Sequence, residues 1–274
     1  MLVLETLTTS LAHVSKDANR FTWVRAPIRG EDWVQVHQAG EESPFDPLRL
    51  RAGMLQANPY VFVRELRYGL SNQYIRARVI VLTERGHRPQ IPWDIYRLIF
   101  TAFGQCKGQA FWKVILFCSP SPRIFPPVGT QPSEQHVNGG YAYPNNPQSI
   151  VIYREEESER VLLHELLHAC GSDNMEQEEW QREVLTETWA ELCLIGVLAK
   201  GSLKKAHKLW TQQSQWIADQ EHQLRQDHSV TNPSHYAYRY TVGRRAVLEG
   251  LGLSLPSPSG MRLVSLRFTT PSLI

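Results

Sequence analysis

The sequence predicts an α+β protein in which a strand-rich first part is followed by an all-helical second part. Between residues 60 and 153, segments rich in β-branched residues surround one amphipathic segment, whereas the chain after residue 155 shows mainly helical periodicity. This order is typical of an α+β fold with two lobes. We expect an α+β lobe at 59–171 and a helical lobe at 172–274, with residues 1–58 as an accessory segment or part of the first lobe.

The strand predictions rest on β-branched and aromatic runs. Residues 60–83 contain Val61-Phe62-Val63 and then the run from 74 to 82, and residues 111–118 form a second candidate, for a buried strand. Residues 92–105 lie between them and repeat apolar side chains at helical spacing, with Pro92 at the start. We therefore expect two strand regions with a helix between them.

Two shorter strands are expected just before the helical part. Residues 136–143 and 149–153 flank a Pro-Asn-Asn-Pro turn, which predicts a pair of strands joined by a tight loop. Four helices are expected to follow, at residues 155–169, 178–198, 203–225 and 236–249. The third is polar and rich in glutamine, so we expect its histidines at the surface: His207, His222 and His228.

Charge and composition exclude several classes of protein. The chain has 274 residues with 29 Lys+Arg against 27 Asp+Glu, and a net charge of +2 gives no basic footprint for nucleic acid. It has no run of 18 apolar residues, and Glu5 interrupts the apolar N-terminal stretch, so neither a membrane helix nor a signal peptide is expected. Four cysteines without a C-x-x-C pair indicate a reduced, cytoplasmic protein rather than a disulfide scaffold.

The motif that carries chemistry is His164-Glu165-Leu166-Leu167-His168, an H-E-x-x-H on the first of the four expected helices. Histidines at i and i+4 lie on one helical face, so both imidazoles can reach a single ion. Zinc bound by such side chains lowers the pKa of a coordinated water, and Glu165 is placed to act as its general base. The alternative is a pair of buried histidines that only stabilise the core.

A third ligand is available on the next expected helix. Glu187 follows His168 after 18 residues, and a loop near Gly171 lets the second helix return over the first. Glu191 lies one turn further and is suited to accept a hydrogen bond from the far nitrogen of a ligand histidine. The alternative for both glutamates is a solvated helix face.

The spacing H-E-x-x-H, 18 residues and then Glu resembles the gluzincin group of zinc metallopeptidases over about residues 150–195. The chain lacks the G-x-M-E-N signature of the aminopeptidase members, and Asn174 stands where metzincins place a third ligand. The resemblance implies a zincin-like fold, in which a small twisted mixed sheet precedes the metal-site helix. It also implies one Zn²⁺ per chain, bound by His164, His168 and Glu187, and a peptide or protein substrate lying along an edge strand.

Hydrolysis of a peptide bond by a zinc-activated water also requires a donor for the developing oxyanion. We expect this donor in the C-terminal part, at Tyr240, with His235 and Tyr236 as the other candidates. Packing between helices is the competing explanation for these aromatic residues. Two other functions stay open at this stage: an inactive zinc-binding scaffold or partner-binding module, and a zinc hydrolase acting on a non-peptide bond.

Overall fold

The computed structural model describes residues 1–69, 74–105 and 111–273. This part of the chain forms a mixed α+β structure, as expected from the sequence, with an open six-stranded sheet in the order β1-β2-β3-β4-β6-β5. The strands are β1 (Phe21–Ala26), β2 (Tyr60–Tyr68), β3 (Ile75–Thr83), β4 (Trp112–Phe117), β5 (Gly140–Tyr141) and β6 (Ile150–Ile152).

The described helices precede, separate and follow the strands along the chain. They are α1 (Leu2–Ser10), α2 (Val14–Ala18), α3 (Gly30–Ala39), α4 (Leu50–Gln56), α5 (Trp93–Phe103), α6 (Glu134–Val137), α7 (Ser158–Ala169), α8 (Glu179–Ala199), α9 (Leu203–His228) and α10 (Arg244–Gly250). Two short 3-10 helices occupy Tyr236–Tyr240 and Pro271–Leu273. Within the described residues, we find no helix with the length and apolarity needed to cross a membrane.

The chain forms two compact units. The sheet unit contains residues 13–121 and 139–172, and the helical unit contains residues 1–12, 122–138 and 173–274. The first 58 residues therefore contribute to both units, with most of them in the sheet unit. The three-segment division expected from the sequence, at 1–58, 59–171 and 172–274, stays a prediction.

Two pairs of parallel strands lie at the centre of the sheet, β3 with β4 and β4 with β6. Strands β1, β2 and β3 pair antiparallel, β3, β4 and β6 run parallel, and β5 returns antiparallel to β6 as the last strand of the described sheet. Helix α5 links the parallel strands β3 and β4 and packs against β1 and β3. One apolar cluster fills the unit, including Ile80, Ile115 and Val151 from three adjacent strands.

The helical unit packs α8 against α1, α9, α10 and the first 3-10 helix. A second apolar cluster joins α9 to the C-terminal segment and includes Leu224, Leu266 and Phe268. Close helix approach is possible where α8 has Gly196, because a Cβ atom there would lie 2.9 Å from Leu11 of the N-terminal segment.

Two sequence predictions for local structure are wrong in part. Residues 136–143 were expected to form a strand, but Ser133 and His136 cap a single turn of helix, and only Gly140–Tyr141 pair with β6. The helix expected at 236–249 is divided at Gly243. The carbonyl of Tyr238 accepts hydrogen bonds from the N–H groups of Thr241 and Gly243, which tightens the chain into a 3-10 turn before α10 begins.

Candidate metal centre

Helix α7 carries the H-E-x-x-H motif inside the sheet unit. It begins after Glu157, which adopts a left-handed conformation with φ of 59°, and it ends before Gly171, where φ is 76°. Every residue of α7 except Leu167 is buried, so the polar side chains of the motif are held in the interior. Buried polar groups that the fold does not need are costly, which makes this helix the first place to look for a functional site.

The two histidines of α7 converge on one point. Their Nε2 atoms lie 3.0 Å apart, and the rings meet edge to face with centroids 4.6 Å apart. Two imidazole nitrogens bound to one tetrahedral zinc would lie about 3.3 Å apart, given the usual zinc–nitrogen bond length. The side chains of His164 and His168 are therefore already close to the separation that a shared ion requires.

Glu165 lies beside the edge strand β5 within the same unit. It is 4% exposed, and a Cβ atom at Gly140 would come within 3.0 Å of its Oε1 and 2.6 Å of Cγ1 of Val161. Only glycine allows strand and helix to approach this closely. This role of Gly140 was not anticipated, although a Gly-Gly pair inside an expected strand is a signal for close backbone approach.

The backbone of Gly140 faces the outer side of β5. In an antiparallel pair, successive residues turn their N–H and C=O groups alternately toward and away from the neighbouring strand. The N–H of Tyr153 donates to the C=O of Gly139 at 2.8 Å, so Gly139 faces β6 and Gly140 faces away from it. Strand β5 thus presents backbone hydrogen-bonding groups next to Glu165.

Three glutamates share one face of α8 in the helical unit. Glu183, Glu187 and Glu191 are spaced four residues apart; Glu183 is partly exposed, whereas the other two are buried. Nη1 of Arg244 lies 3.7 Å from Oε2 of Glu191, which gives that carboxylate a cationic neighbour. Sequence reasoning did not anticipate Arg244, because it comes from α10, more than fifty residues along the chain.

The tyrosines proposed as oxyanion donors lie side by side. The hydroxyl of Tyr236 donates to Oδ1 of Asn138 at 2.7 Å and lies 3.4 Å from the hydroxyl of Tyr240. Burial raises the pKa of both phenols, and the carboxylate of Glu183 adds to the effect. The third candidate, His235, accepts a hydrogen bond from the backbone of Thr231 at its Nδ1, at 3.1 Å.

Among the described residues, His164, His168 and Glu183 form a group that could hold a metal ion. Two imidazoles and a carboxylate are a donor set that suits zinc, so these residues fit the metal expected from the sequence. Glu183 was missed because the known spacing favoured Glu187, one turn further on the same helical face. The assignment of Glu187 as a ligand, of Glu165 as a base and of Glu191 as a supporting residue stays a prediction.

Comparisons with known proteins gave no match to any family model, curated protein or solved structure. The functional argument therefore depends on the side chains described above.

Proposed function

We propose that this protein is a zinc-dependent peptidase with a zincin-like sheet unit. The observation that carries the proposal is the pair of Nε2 atoms of His164 and His168, 3.0 Å apart on a buried helix with Glu165 between them in sequence. Two imidazoles held this close together on one buried helix, with a carboxylate next to the first of them, match the ligands and base of a zinc hydrolase. A glutamate of α8 completes the proposed ligand set, either Glu183 or Glu187.

Zinc in such a site, when bound, lowers the pKa of a coordinated water to about 7 and polarises a carbonyl oxygen. The protein's own contribution is to place a base and a donor. Glu165 is the base in this proposal, because its carboxylate is buried, follows His164 directly in sequence and lies in contact range of β5. It accepts the proton of the attacking water and returns it to the leaving nitrogen.

Strand β5 is the proposed position of the substrate. The outward N–H and C=O groups of Gly140 can pair with an extended peptide, as in strand addition to an open sheet edge. Such a peptide would pass close to Glu165 because Gly140 does. The antiparallel edge strand before the motif helix is also the feature that supports a zincin-like arrangement.

Tyr240 is the proposed donor to the oxyanion. Burial keeps the pKa of its phenol well above the usual value, so the hydroxyl stays protonated at neutral pH and can donate a hydrogen bond. The neighbouring hydroxyl of Tyr236, 3.4 Å away, limits the directions in which Tyr240 can donate.

The proposal is tested first by metal content. Protein purified without added metal should contain about one zinc per chain, and His164→Ala should lose it. Glu183→Ala and Glu187→Ala are then compared, and the variant that loses zinc identifies the third ligand. Glu179→Ala is the matched control, since Glu179 is an exposed glutamate one turn earlier on the same helix. Full zinc content in His164→Ala would overturn the proposal.

The same experiment separates binding from catalysis. Glu165→Gln preserves size and removes the base, so zinc should remain while cleavage of a fluorogenic peptide library falls by about 10²–10⁴. Glu159→Gln, at a second buried glutamate of α7, is the control and should cleave at the parental rate. Parental activity in Glu165→Gln would show that this residue is not the base.

A further inference from the structure

The segment from Leu263 to Thr270, here called the strap, is held on α9 by side chains that bind its backbone. Gln223 binds both backbone groups of Leu263: Oε1 accepts from the N–H at 2.8 Å and Nε2 donates to the C=O at 3.1 Å. Gln213 donates to the C=O of Phe268 at 2.7 Å and accepts from the N–H of Thr270 at 2.9 Å. A carboxamide can do both because it carries a donor and an acceptor.

Two further donors bind the middle of the strap. The C=O of Arg267 accepts from Nε1 of Trp216 at 2.9 Å and from Nε2 of Gln220 at 2.6 Å. Positions 213, 216, 220 and 223 are three or four residues apart, so they lie on one face of α9. The strap lies outside the six-stranded sheet, although Ser265 forms an isolated antiparallel bridge with Ile124 and the N–H of Leu266 donates to the C=O of Arg123 at 3.2 Å. The side chains of α9 supply partners for the other buried backbone groups named above.

The backbone attachment places one aromatic side chain among residues of the candidate site. Phe268 is 3% exposed, and its ring centroid lies 5.2 Å from the guanidinium of Arg123 and 6.0 Å from that of Arg244. The ring of Tyr240 is its aromatic neighbour, with centroids 6.5 Å apart. Both guanidiniums are therefore within range of a favourable interaction with the aromatic face.

The neighbours of Phe268 in turn contact the residues for which roles are proposed. Arg244 lies 3.7 Å from the carboxylate of Glu191, and it also donates to Oε1 of Gln220, which holds the strap. Tyr240 is in contact with Tyr236. The ring of Phe268 thus borders the expected oxyanion donor and the cation that faces Glu191.

We propose that Phe268 is a positioning residue, through which the strap fixes the hydroxyl of Tyr240 and the Arg244–Glu191 pair. The roles of Tyr240 and Glu191 rest on the proposed function, whereas their packing on Phe268 does not. Because the glutamines bind the strap only through its backbone atoms, the position of the ring is set by the chain path. The identity of the ring then decides how Tyr240 and Arg244 are held.

The test compares two variants of the full chain that each remove three side-chain carbons from the strap, Phe268→Leu and Leu263→Ala. Phenol ionisation is followed by absorbance, and the Tyr240 contribution is identified by its absence in Tyr240→Phe. Burial is the largest cause of the raised pKa of Tyr240, and Glu183, Tyr236 and Arg239 also act on it. Phe268→Leu should lower that pKa, because water reaches the phenol. Leu263→Ala should leave it unchanged.

A second readout uses the zinc-loaded protein. Phe268→Leu should lower kcat about tenfold or more with little change in KM, since only the donor and its support are disturbed. If Phe268→Leu does not fold, Gln213→Ala releases the backbone beside Phe268 and should shift the Tyr240 titration in the same direction, with Gln226→Ala as the exposed control on α9.

Equal titration curves for Phe268→Leu and Leu263→Ala would overturn the proposal, whatever the activity. If the parent protein cleaves no peptide, the proposed function and the positioning role that rests on it both fail, and the titration then decides only whether Phe268 shields the phenol of Tyr240 from water. If the titration shifts and kcat does not, Phe268 only packs beside Tyr240, and the positioning role is wrong.

Discussion

Each unit contains a buried polar network, and the two networks are built from different kinds of side chain. The sheet unit carries a row of charges through its interior, whereas the helical unit uses neutral carboxamides to hold the strap. Both solutions satisfy buried polar atoms, but only the first depends on charge balance. The comparison shows which parts of the fold should respond to pH and which should not.

The charged row follows the register of the sheet. Glu65 on β2 lies opposite Arg78 on β3, and Arg78 lies opposite Lys113 on β4. Asp32, in the first turn of α3, binds both cations: Nη2 of Arg78 at 2.5 Å and Nζ of Lys113 at 2.8 Å. Arg78 also pairs with Glu65, and none of these side chains is appreciably exposed. Removing one member of the row therefore leaves the others with fewer partners, although Arg67 and Arg29 also pair with Glu65.

The carboxamides of α9 depend on no such balance. Gln213, Gln220 and Gln223 are buried, and each binds a peptide group of the strap. Amides exchange water for peptide partners without leaving a charge behind when one bond is lost. We therefore expect local and moderate effects here, in contrast to the charged row.

The largest expected effect comes from removing the central cation of the row. Arg78→Met keeps an unbranched side chain of similar length and leaves Asp32 and Glu65 buried with fewer partners, so the free energy of unfolding should fall by about 3–5 kcal/mol. Urea unfolding measures this change. Arg25→Met is the control, because Arg25 is exposed on β1 of the same sheet and should change stability by less than about 0.5 kcal/mol. Equal effects in both variants would contradict the comparison.

How far the sequence predicted the structure depends on how local the signal is. The apolar runs of β3 and β4 and the motif helix α7 were anticipated, because periodicity and residue type alone specify them. Strand β1 was not anticipated, although it begins with the strand-favouring residues Phe21-Thr22-Trp23-Val24, because its run is short and its partner β2 lies about forty residues later.

Burial of polar residues on α9 was not predictable in the same way. His228 was expected at the surface, but it is 1% exposed, stacks on Phe125 at 5.4 Å and hydrogen-bonds through Nδ1 to the C=O of Thr130. Its partners lie about a hundred residues earlier in the chain, just as the partners of Gln213 and Gln223 lie 40 or more residues later. A polar helix is predicted to lie at the surface when the backbone groups that its side chains bind are distant in sequence, because the local pattern does not show them.

The candidate site shows the same limit. The histidines and Glu165 are specified within five residues, so the sequence alone identified them. Glu183 and Glu187 are one turn apart on the same face of α8, and a spacing rule cannot separate them because both project toward the same side. Measuring the zinc content of Glu183→Ala and Glu187→Ala is needed to tell which of the two is the ligand.

The next largest expected effect is a loss of stability at acidic pH, caused by protonation of Asp32. Burial alone would raise the pKa of Asp32, but hydrogen bonds from Arg78, Lys113 and the backbone of Arg29 outweigh it and lower the pKa from 3.8 to about 2. A carboxyl whose pKa is lower in the folded state than in the unfolded state stabilises the protein at pH values above its unfolded-state pKa. That contribution is lost as the pH falls through the folded-state pKa. About 2 kcal/mol should therefore be lost between about pH 4 and pH 2.

Unfolding by urea at several pH values measures this loss, and Asp32→Asn should remove that part of the pH dependence. Asp94→Asn is the control, since Asp94 is an exposed aspartate at the start of α5 whose side chain is 89% accessible. A parent protein whose stability falls no more steeply than that of Asp32→Asn would show that the row does not control acid sensitivity.

The smallest effect should come from the carboxamides. Gln223→Ala removes both bonds to the backbone of Leu263, and we expect a loss of about 1 kcal/mol, because the neighbouring exposed residues Met261 and Arg262 let water replace the glutamine. Since no ionisable group is involved, the loss should be the same at pH 7 and pH 4. Gln226→Ala, at an exposed position of α9, should be nearly neutral. A Gln223→Ala effect that grows or vanishes with pH would mean that the strap is coupled to charged groups, and the contrast between the two units would no longer hold.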